Sequence, residues 1–336
     1  MIDIQNKVSI LDVLKKLNKN KSEEDKIKIA SDYGEEFFVK KTVSTSSPYL
    51  DYLFKGYTKG GYNSIIAKGG AGKTTFALSA GANEIEITGK YVVYYDAEGT
   101  IDDSYIARTG INWDKVVYYK GRNLEDMLDN IEEMSKADDV GMIILDSIPI
   151  FVSSVVEAKS AGDNNMSVEA RKYSARMPII EGNCSRRDIA LLGLTSYKTD
   201  PGAMGDPRYL PRGLWQYTMG NTIIDLTKQE KIFDKNKKLI GHVLDVRVKK
   251  SKLVPYDEKE VFKVNFYYDG VFNEIDEYAQ VISRSSVCTL GGAGWITFPN
   301  KDGEEKKVQG TDKFAEYLKE NKEDFEFLKN QLKCES

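Results

Sequence analysis

The chain opens on a helical pattern. Val8, Leu11, Leu14 and Leu17 recur at three-residue steps with lysines between them, which predicts a helix over 8–30. The stretch 15–28 is highly charged and reads as solvated. Phe37-Phe38-Val39 then starts an extended run through Thr45, and residues 1–42 are read as an arm outside the main core. From 43 to 268 short apolar runs alternate with helical ones. Strands are predicted over 62–67, 91–95, 141–145 and 189–194, and helices over 73–88 and 124–135. Apolar strands separated by helices predict a mostly parallel sheet covered on both faces, an α/β fold. After residue 220 the texture changes. Runs at 222–226, 242–249 and 261–268 read as sequential strands, with Asp234-Lys235-Asn236-Lys237 as a hairpin turn. Residues 269–336 carry a helix over 274–283, a glycine turn at 291–295 and a charged helix from Asp312, a small α+β C-terminal domain.

Composition narrows the class. The 336 residues are 41% hydrophobic and 30% charged, with a net charge of −4, the balance of a globular protein with a large core. The most apolar window, 141–152, is broken by Asp146 and is too short to span a bilayer. The N-terminus lacks a signal-peptide pattern. Three scattered cysteines read as reduced thiols, so a cytoplasmic location and no membrane partner are expected. The single histidine, His242, leaves no histidine-based metal site or Ser-His-Asp triad worth defending. Slight acidity argues against indiscriminate polyanion binding but leaves room for a local basic groove.

Residues 67–75 read Ala67-Lys68-Gly69-Gly70-Ala71-Gly72-Lys73-Thr74-Thr75, between a strand and a helix. This is the phosphate-loop arrangement, with Ala67 in place of the usual first glycine. The glycines let backbone N–H groups curl around phosphate oxygens, and the helix N-terminus adds to the anion site. Lys73 would reach the β- and γ-phosphates and Thr74 would hold Mg²⁺. The 141–145 strand runs into Asp146, a second Mg²⁺ candidate. The 91–95 strand runs into Asp96-Ala97-Glu98; parallel strands share one C-terminal edge, so Glu98 falls near the γ-phosphate as general base.

With these elements in order the sequence resembles the RecA-type recombinases, near the bacterial RecA and phage UvsX branch, over roughly residues 43–300. The resemblance implies a RecA-type P-loop ATPase core (43–268) with a small N-terminal arm (1–42) and a C-terminal domain (269–336). The segment Asp96 to Arg108 resembles the family's catalytic-glutamate and adenine stretch, which implies Glu98 as base and Asp102 and Tyr105 at adenine. Gly162-Asp163-Asn164-Asn165-Met166, with Arg171 beyond, resembles the first DNA loop, where a methionine wedges between bases. Leu194-Thr195-Ser196-Tyr197-Lys198-Thr199 resembles the lead into the second loop, with Thr195 or Ser196 where the family senses the γ-phosphate. Val248 to Lys252 resembles the Lys-x-Lys element, which implies that Lys250 and Lys252 reach a neighbour's ATP.

Two long stretches, about 153–176 and 197–220, interrupt the core on the phosphate-loop side. Loops of that length are usually functional. They bring Asn164, Met166, Arg171, Lys172 and Arg176, and then Lys198, Arg208, Arg212, Gly213 and Trp215. Cations interleaved with aromatics suit a single strand of nucleic acid, although Trp215 equally suits core packing. Phe37 and Phe38 are read as anchoring the arm in the next subunit, with packing inside their own chain as the alternative. The reading is an ATP- and Mg²⁺-dependent strand-exchange protein for recombination and repair. It would form helical filaments on single-stranded DNA and pair that strand with homologous duplex. A single-strand-binding protein and a loader are its expected partners, and a host cytoplasm its location if it comes from a phage. The rivals are a hexameric RecA-fold helicase motor and an ATP-gated accessory scaffold.

Overall fold

The computed structural model describes residues 9–23, 26–34, 38–158, 166–200, 202 and 208–333. It divides into two compact units, Met1–Lys40 and Lys41–Ser336. In the first, α1 (Ile10–Asn18) is much shorter than the helix expected over 8–30. Ser9 caps it by accepting from the Leu11 N–H at 3.3 Å. Asn18 then turns the chain back: its side chain accepts from Ile27 N–H at 2.9 Å and donates to Ile27 C=O at 2.7 Å. The charged run after α1 offers no apolar period to extend the helix, and only a short 3₁₀ turn follows at Ala30–Asp32. Phe38 is exposed with its ring 6.1 Å from Tyr33; Phe37 lies outside the described residues.

In the second unit β1 (Thr42–Val43) pairs antiparallel with β2 (Tyr57–Thr58) around α2 (Pro48–Phe54). The α/β alternation follows: β3 (Gly61–Ala67), α3 (Lys73–Thr88), β4 (Tyr91–Asp96), α4 (Asp103–Thr109), β5 (Val116–Lys120), α5 (Leu124–Met134) and β6 (Val140–Asp146). Next come α6 (Ser154–Glu157), α7 (Met166–Arg187), β7 (Ala190–Thr195), β8 (Lys198–Thr199), β9 (Arg208–Tyr209) and α8 (Trp215–Met219). The long strands β10 (Thr222–Phe233), β11 (Leu239–Ser251) and β12 (Phe262–Tyr267) lead to α9 (Glu274–Ile282), β13 (Thr289–Leu290), β14 (Trp295–Pro299), β15 (Glu305–Gln309), α10 (Thr311–Glu320) and α11 (Lys322–Lys333).

The main sheet has the order β12-β11-β10-β3-β7-β6-β4-β5. It is parallel from β10 to β5, with β11 and β12 added antiparallel at one edge. Strand alternation loads both faces. Ile65, Tyr94, Ile144, Leu192 and Ile224 pack with Phe76 and Leu78 of α3. Val93, Leu145 and Leu191 pack with Met127 and Ile131 of α5 and with Tyr173, Met177 and Ile180 of α7. A third cluster joins α9, α10 and α11 to β14 through Ile282, Phe298, Phe314, Leu318 and Leu328.

The first long loop expected at about 153–176 is instead helical over most of its described length. Tyr173, Met177, Ile180 and Cys184 are buried at spacings of four, three and four, a helical stripe that carries α7 through Pro178. That proline and the charges around it hide the stripe from a propensity reading.

Candidate nucleotide site and nucleic-acid interface

The phosphate loop joins β3 to α3 at the C-terminal edge of the sheet. Gly70 and Gly72 have φ of 74° and 90°, which L side chains rarely adopt. A Cβ at 72 would also stand 2.9 Å from the Phe266 ring, whereas a Cβ at 69 or 70 meets nothing within 4 Å. The loop is thus pinned from behind and open in front. Ala67 ends β3 in register with Leu226, so the first position of the motif needs no left-handed backbone and tolerates alanine. Lys73 folds over the loop, its Nζ donating to the carbonyls of Ala67 at 3.1 Å and Lys68 at 3.4 Å. Burial lowers its pKa while Asp146 and Glu98 pull it upward.

Asp146 is buried at the end of β6. Its Oδ2 accepts from Thr74 Oγ1 at 2.6 Å and from Tyr94 OH at 2.6 Å. Its Oδ1 is buried with no hydrogen-bond partner among the described residues. Burial pushes the carboxyl up to about 6; Thr74 and Tyr94 oppose this, and Glu98 and Asp96 add to it. A buried carboxylate oxygen without a partner, with a hydroxyl on its other oxygen, is a donor set that fits a hard divalent cation. Glu98 lies beside it, accepting from Ser147 Oγ at 2.9 Å. Asp96 holds the turn between them by accepting from Gly99 N–H at 2.5 Å and Tyr118 OH at 2.8 Å.

Other expected residues are more divided in their work. Asp102 caps α4, accepting from Ser104 N–H at 2.9 Å and Tyr105 N–H at 3.3 Å. Tyr105 is half-buried with the Arg108 guanidinium 5.4 Å from its ring centre. Thr195 ends β7 opposite Ile66. Alternation puts it with Leu191 on the α7 side of the sheet, where its Oγ1 is buried with no partner among the described residues. Ser196, half-exposed, is the hydroxyl just past the strand end. Lys250 is occupied within its own chain: Nζ donates to the carbonyls of Tyr217 at 2.6 Å and Thr218 at 3.1 Å and sits 5.5 Å from the Tyr217 ring centre. Lys252 is exposed just beyond β11, its N–H donating to Asn221 C=O at 2.9 Å.

The cations expected at nucleic acid separate into two groups. Lys172 pairs with Glu125, and Arg176 with Asp129 at 2.5 Å and Glu132 at 3.1 Å, so these two pin α7 to α5. Arg212, expected at a phosphate, is instead an internal brace. It pairs with buried Glu169 and donates to the carbonyls of Pro149 at 2.9 Å and Phe151 at 3.0 Å. Trp215 is likewise a core residue, 5% exposed. It stacks 5.1 Å from Tyr173, stands 4.9 Å from Tyr62, and donates Nε1–H to Arg212 C=O at 3.0 Å. Gly213, at φ 100°, makes the turn between them. Lys198 and Arg208 stand exposed on the β8–β9 hairpin, and Arg171 is exposed on α7. Asn164 lies outside the described residues, and so does the side chain of Met166, the first residue of α7.

Sequence reasoning missed Tyr94, Ser147 and the Tyr217–Glu258 contact. Ser147 was findable, because it follows the metal-candidate aspartate directly. Tyr94 shares the α3 face with Asp96 by alternation, which was a weaker signal. Nothing local ties Tyr217 to Glu258, whose carboxylate accepts from it at 3.3 Å across 41 positions.

A phosphate loop, a buried carboxylate on its threonine and a second carboxylate at the neighbouring strand end make a candidate P-loop nucleotide site on a mostly parallel sheet. The RecA N-terminal domain model matches residues 9–271. The chain is 25% identical over 298 residues to Protein RecA of Lactococcus lactis subsp. cremoris (strain MG1363), covering 87% of this chain and 75% of that protein. It is 27% identical over 272 residues to Protein RecA of Acholeplasma laidlawii, covering 80% of this chain and 78% of that one. Among solved structures, the crystal structure of the RadB recombinase superposes with a TM-score of 0.53 at 16% identity, over 69% of this chain and 99% of that one. The chain belongs to the RecA family. Among the described residues no helix is long and apolar enough to cross a membrane.

Proposed function

We propose that the chain is an ATP-dependent recombination protein that binds single-stranded DNA and exchanges it with a homologous duplex. The observation that carries the ATPase part is Asp146, a buried carboxylate with one oxygen on Thr74 and the other without a partner, at the mouth of an open phosphate loop. Thr74 and Asp146 would hold Mg²⁺, which when bound neutralises phosphate charge. The loop N–H groups and Lys73 bind the triphosphate. Asp102, which caps α4, and Tyr105 on α4 are the candidates at adenine. Ser147 orients Glu98, whose carboxylate takes a proton as water attacks the γ-phosphorus and the bond to the bridging oxygen breaks. Ser196, past the end of β7, would report the γ-phosphate to the segment that follows.

Lys250 and Lys252 of a neighbouring copy would complete the charge around the triphosphate, so nucleotide binding and filament order become one equilibrium. Lys198 and Arg208, exposed on the β8–β9 hairpin, and Arg171, exposed on α7, would meet strand phosphates, while Lys172, Arg176 and Arg212 serve internal pairs. Base pairing, not side-chain readout, would supply sequence specificity. The test is strand exchange with ATP, ADP and a non-hydrolysable analogue, using wild type and Glu98→Gln. Glu98→Gln is expected to bind ATP and DNA normally and to lose turnover by a factor of about 10²–10⁴, the usual worth of a general base. Rapid turnover in that variant would remove Glu98 from the role, and closed rings in electron micrographs with ATP would favour a helicase.

A further inference from the structure

Beneath the β8–β9 hairpin lies a cavity of about 670 Å³, inside the usual range for small-molecule sites. Its lining includes Tyr197, Tyr209, Tyr217 and Leu214, with Ala170 of α7 behind. The apolar groups are not sealed away: Leu214 is 81% exposed, Tyr217 40% and Tyr209 36%. Isolated exposed hydrophobics are ordinary, but these converge on one concavity. One acid reaches the lining, Glu258, and it is engaged, with Tyr217 OH at 3.3 Å and Lys249 Nζ at 3.7 Å. Three cations, Arg208, Arg212 and Lys249, also reach the lining. Arg208 lies 5.2 Å from the Tyr197 ring centre, and Lys198 is paired opposite Tyr209 on the hairpin.

We propose that this cavity receives one unstacked base of a bound nucleic-acid strand, held against tyrosine rings while Arg208 and Lys198 hold the adjoining phosphates. The inference rests on the strand-binding reading above and names a subsite within it. Every base has a π-face, so a ring-walled recess accepts bases without regard to sequence, as a strand-exchange protein requires. Tyrosine rings and cations in one recess suit the two halves of a nucleotide, base and phosphate. Tyr217 also carries the carbonyl held by Lys250, so the wall of the recess is tied to the residue assigned to a neighbour's triphosphate. Base capture would therefore follow nucleotide state.

The experiment uses the full chain with ATP and oligonucleotides carrying either 2-aminopurine or an abasic position. Wild type is expected to raise 2-aminopurine emission several-fold on binding and to prefer the intact strand about tenfold, the worth of one stacked base. Tyr209→Ala is expected to lose both effects and Tyr209→Phe to keep them, with the salt dependence of binding unchanged in each. Leu214→Ser, at the most exposed of these positions, is a second variant that spares the fold and is expected to weaken the emission change. Strand binding by wild type with no emission change and no preference for the intact strand would overturn the recess and leave the strand-binding reading standing. Failure of wild type to bind any strand would overturn both. A change in self-association of Tyr209→Ala without DNA, with its strand preference intact, would assign the cavity to a contact between copies and overturn the proposal.

Discussion

Glu277 on α9 is buried at 2% exposure against the first turn of α2, where Ser47 Oγ donates to its Oε2 and the Tyr49 N–H points at it. Burial pushes its pKa from 4.5 to about 7; Ser47 and Tyr49 oppose this, while Asp276 on α9 and Asp51 on α2 add to it. The native carboxyl therefore holds its proton more tightly than the unfolded one. That contribution to stability is fully present below about pH 4.5 and is lost as pH rises through about 7. The shift corresponds to about 3 kcal/mol at most. Glu277→Gln removes the ionisation and keeps an acceptor oxygen for Ser47 and Tyr49, but adds a buried amide N–H₂ that must find a partner, at a cost of about 1–2 kcal/mol. The variant is thus expected to be more stable than wild type at pH 8 by about 1–2 kcal/mol, and less stable at pH 5 by up to about 1 kcal/mol. Urea unfolding followed by tryptophan emission, without nucleotide, at pH 5, 6, 7 and 8 measures the crossing. A stability difference that stays constant over that range would refute Glu277 as the titrating group.

Asp146→Asn is expected to abolish the stabilisation that Mg²⁺ and nucleotide together give wild type in a thermal melt, while leaving the unliganded fold intact; unchanged ligand stabilisation would remove Asp146 from the metal role. Arg212→Ala leaves Glu169 buried without its partner and strips donors from the Pro149 and Phe151 carbonyls. It is expected to cost about 3–5 kcal/mol in urea unfolding, far more than loss of an exposed DNA-contacting arginine would.

The central sheet was legible because its strands are buried on both faces and read as short apolar runs, so 91–95, 141–145 and 189–194 fall within a residue or two of β4, β6 and β7. The phosphate loop was legible because backbone geometry restricts it to small residues in fixed order. What failed was tertiary. The partners of Lys172, Arg176 and Arg212 do not show in a sequence, because a cation's partner is set by packing and not by neighbours along the chain. Glu125 lies 47 positions from Lys172, and nothing short-range announces it. Trp215 was ambiguous for the same reason: only Tyr62 and Tyr173, brought in by β3 and α7, make it a core residue. The N-terminal helix was overextended because lysine favours helix as readily as solvent, and no apolar stripe beyond Asn18 gave it a face to bury.

Lys250 shows how one side chain can serve both ends of the proposed cycle. Its ammonium now satisfies the carbonyls of Tyr217 and Thr218 near the end of α8, a five-residue helix. Those carbonyls take two of its three N–H donors, so full engagement of a neighbour's phosphate would draw it away from α8. Hydrogen bonds from a charged donor are worth about 1.5–3 kcal/mol each, so release from α8 is a real cost that only a strong anion offsets. A triphosphate across the interface is such an anion; a diphosphate, lacking the γ-group, is a weaker one. When Lys250 leaves, the last turn of α8 loses its donors, and α8 follows directly on the segment that carries Arg208, Tyr209 and Leu214. No separate transmitting element would then be required: on the proposed reading, competition for one ammonium group would make the grip on a strand depend on the nucleotide next door.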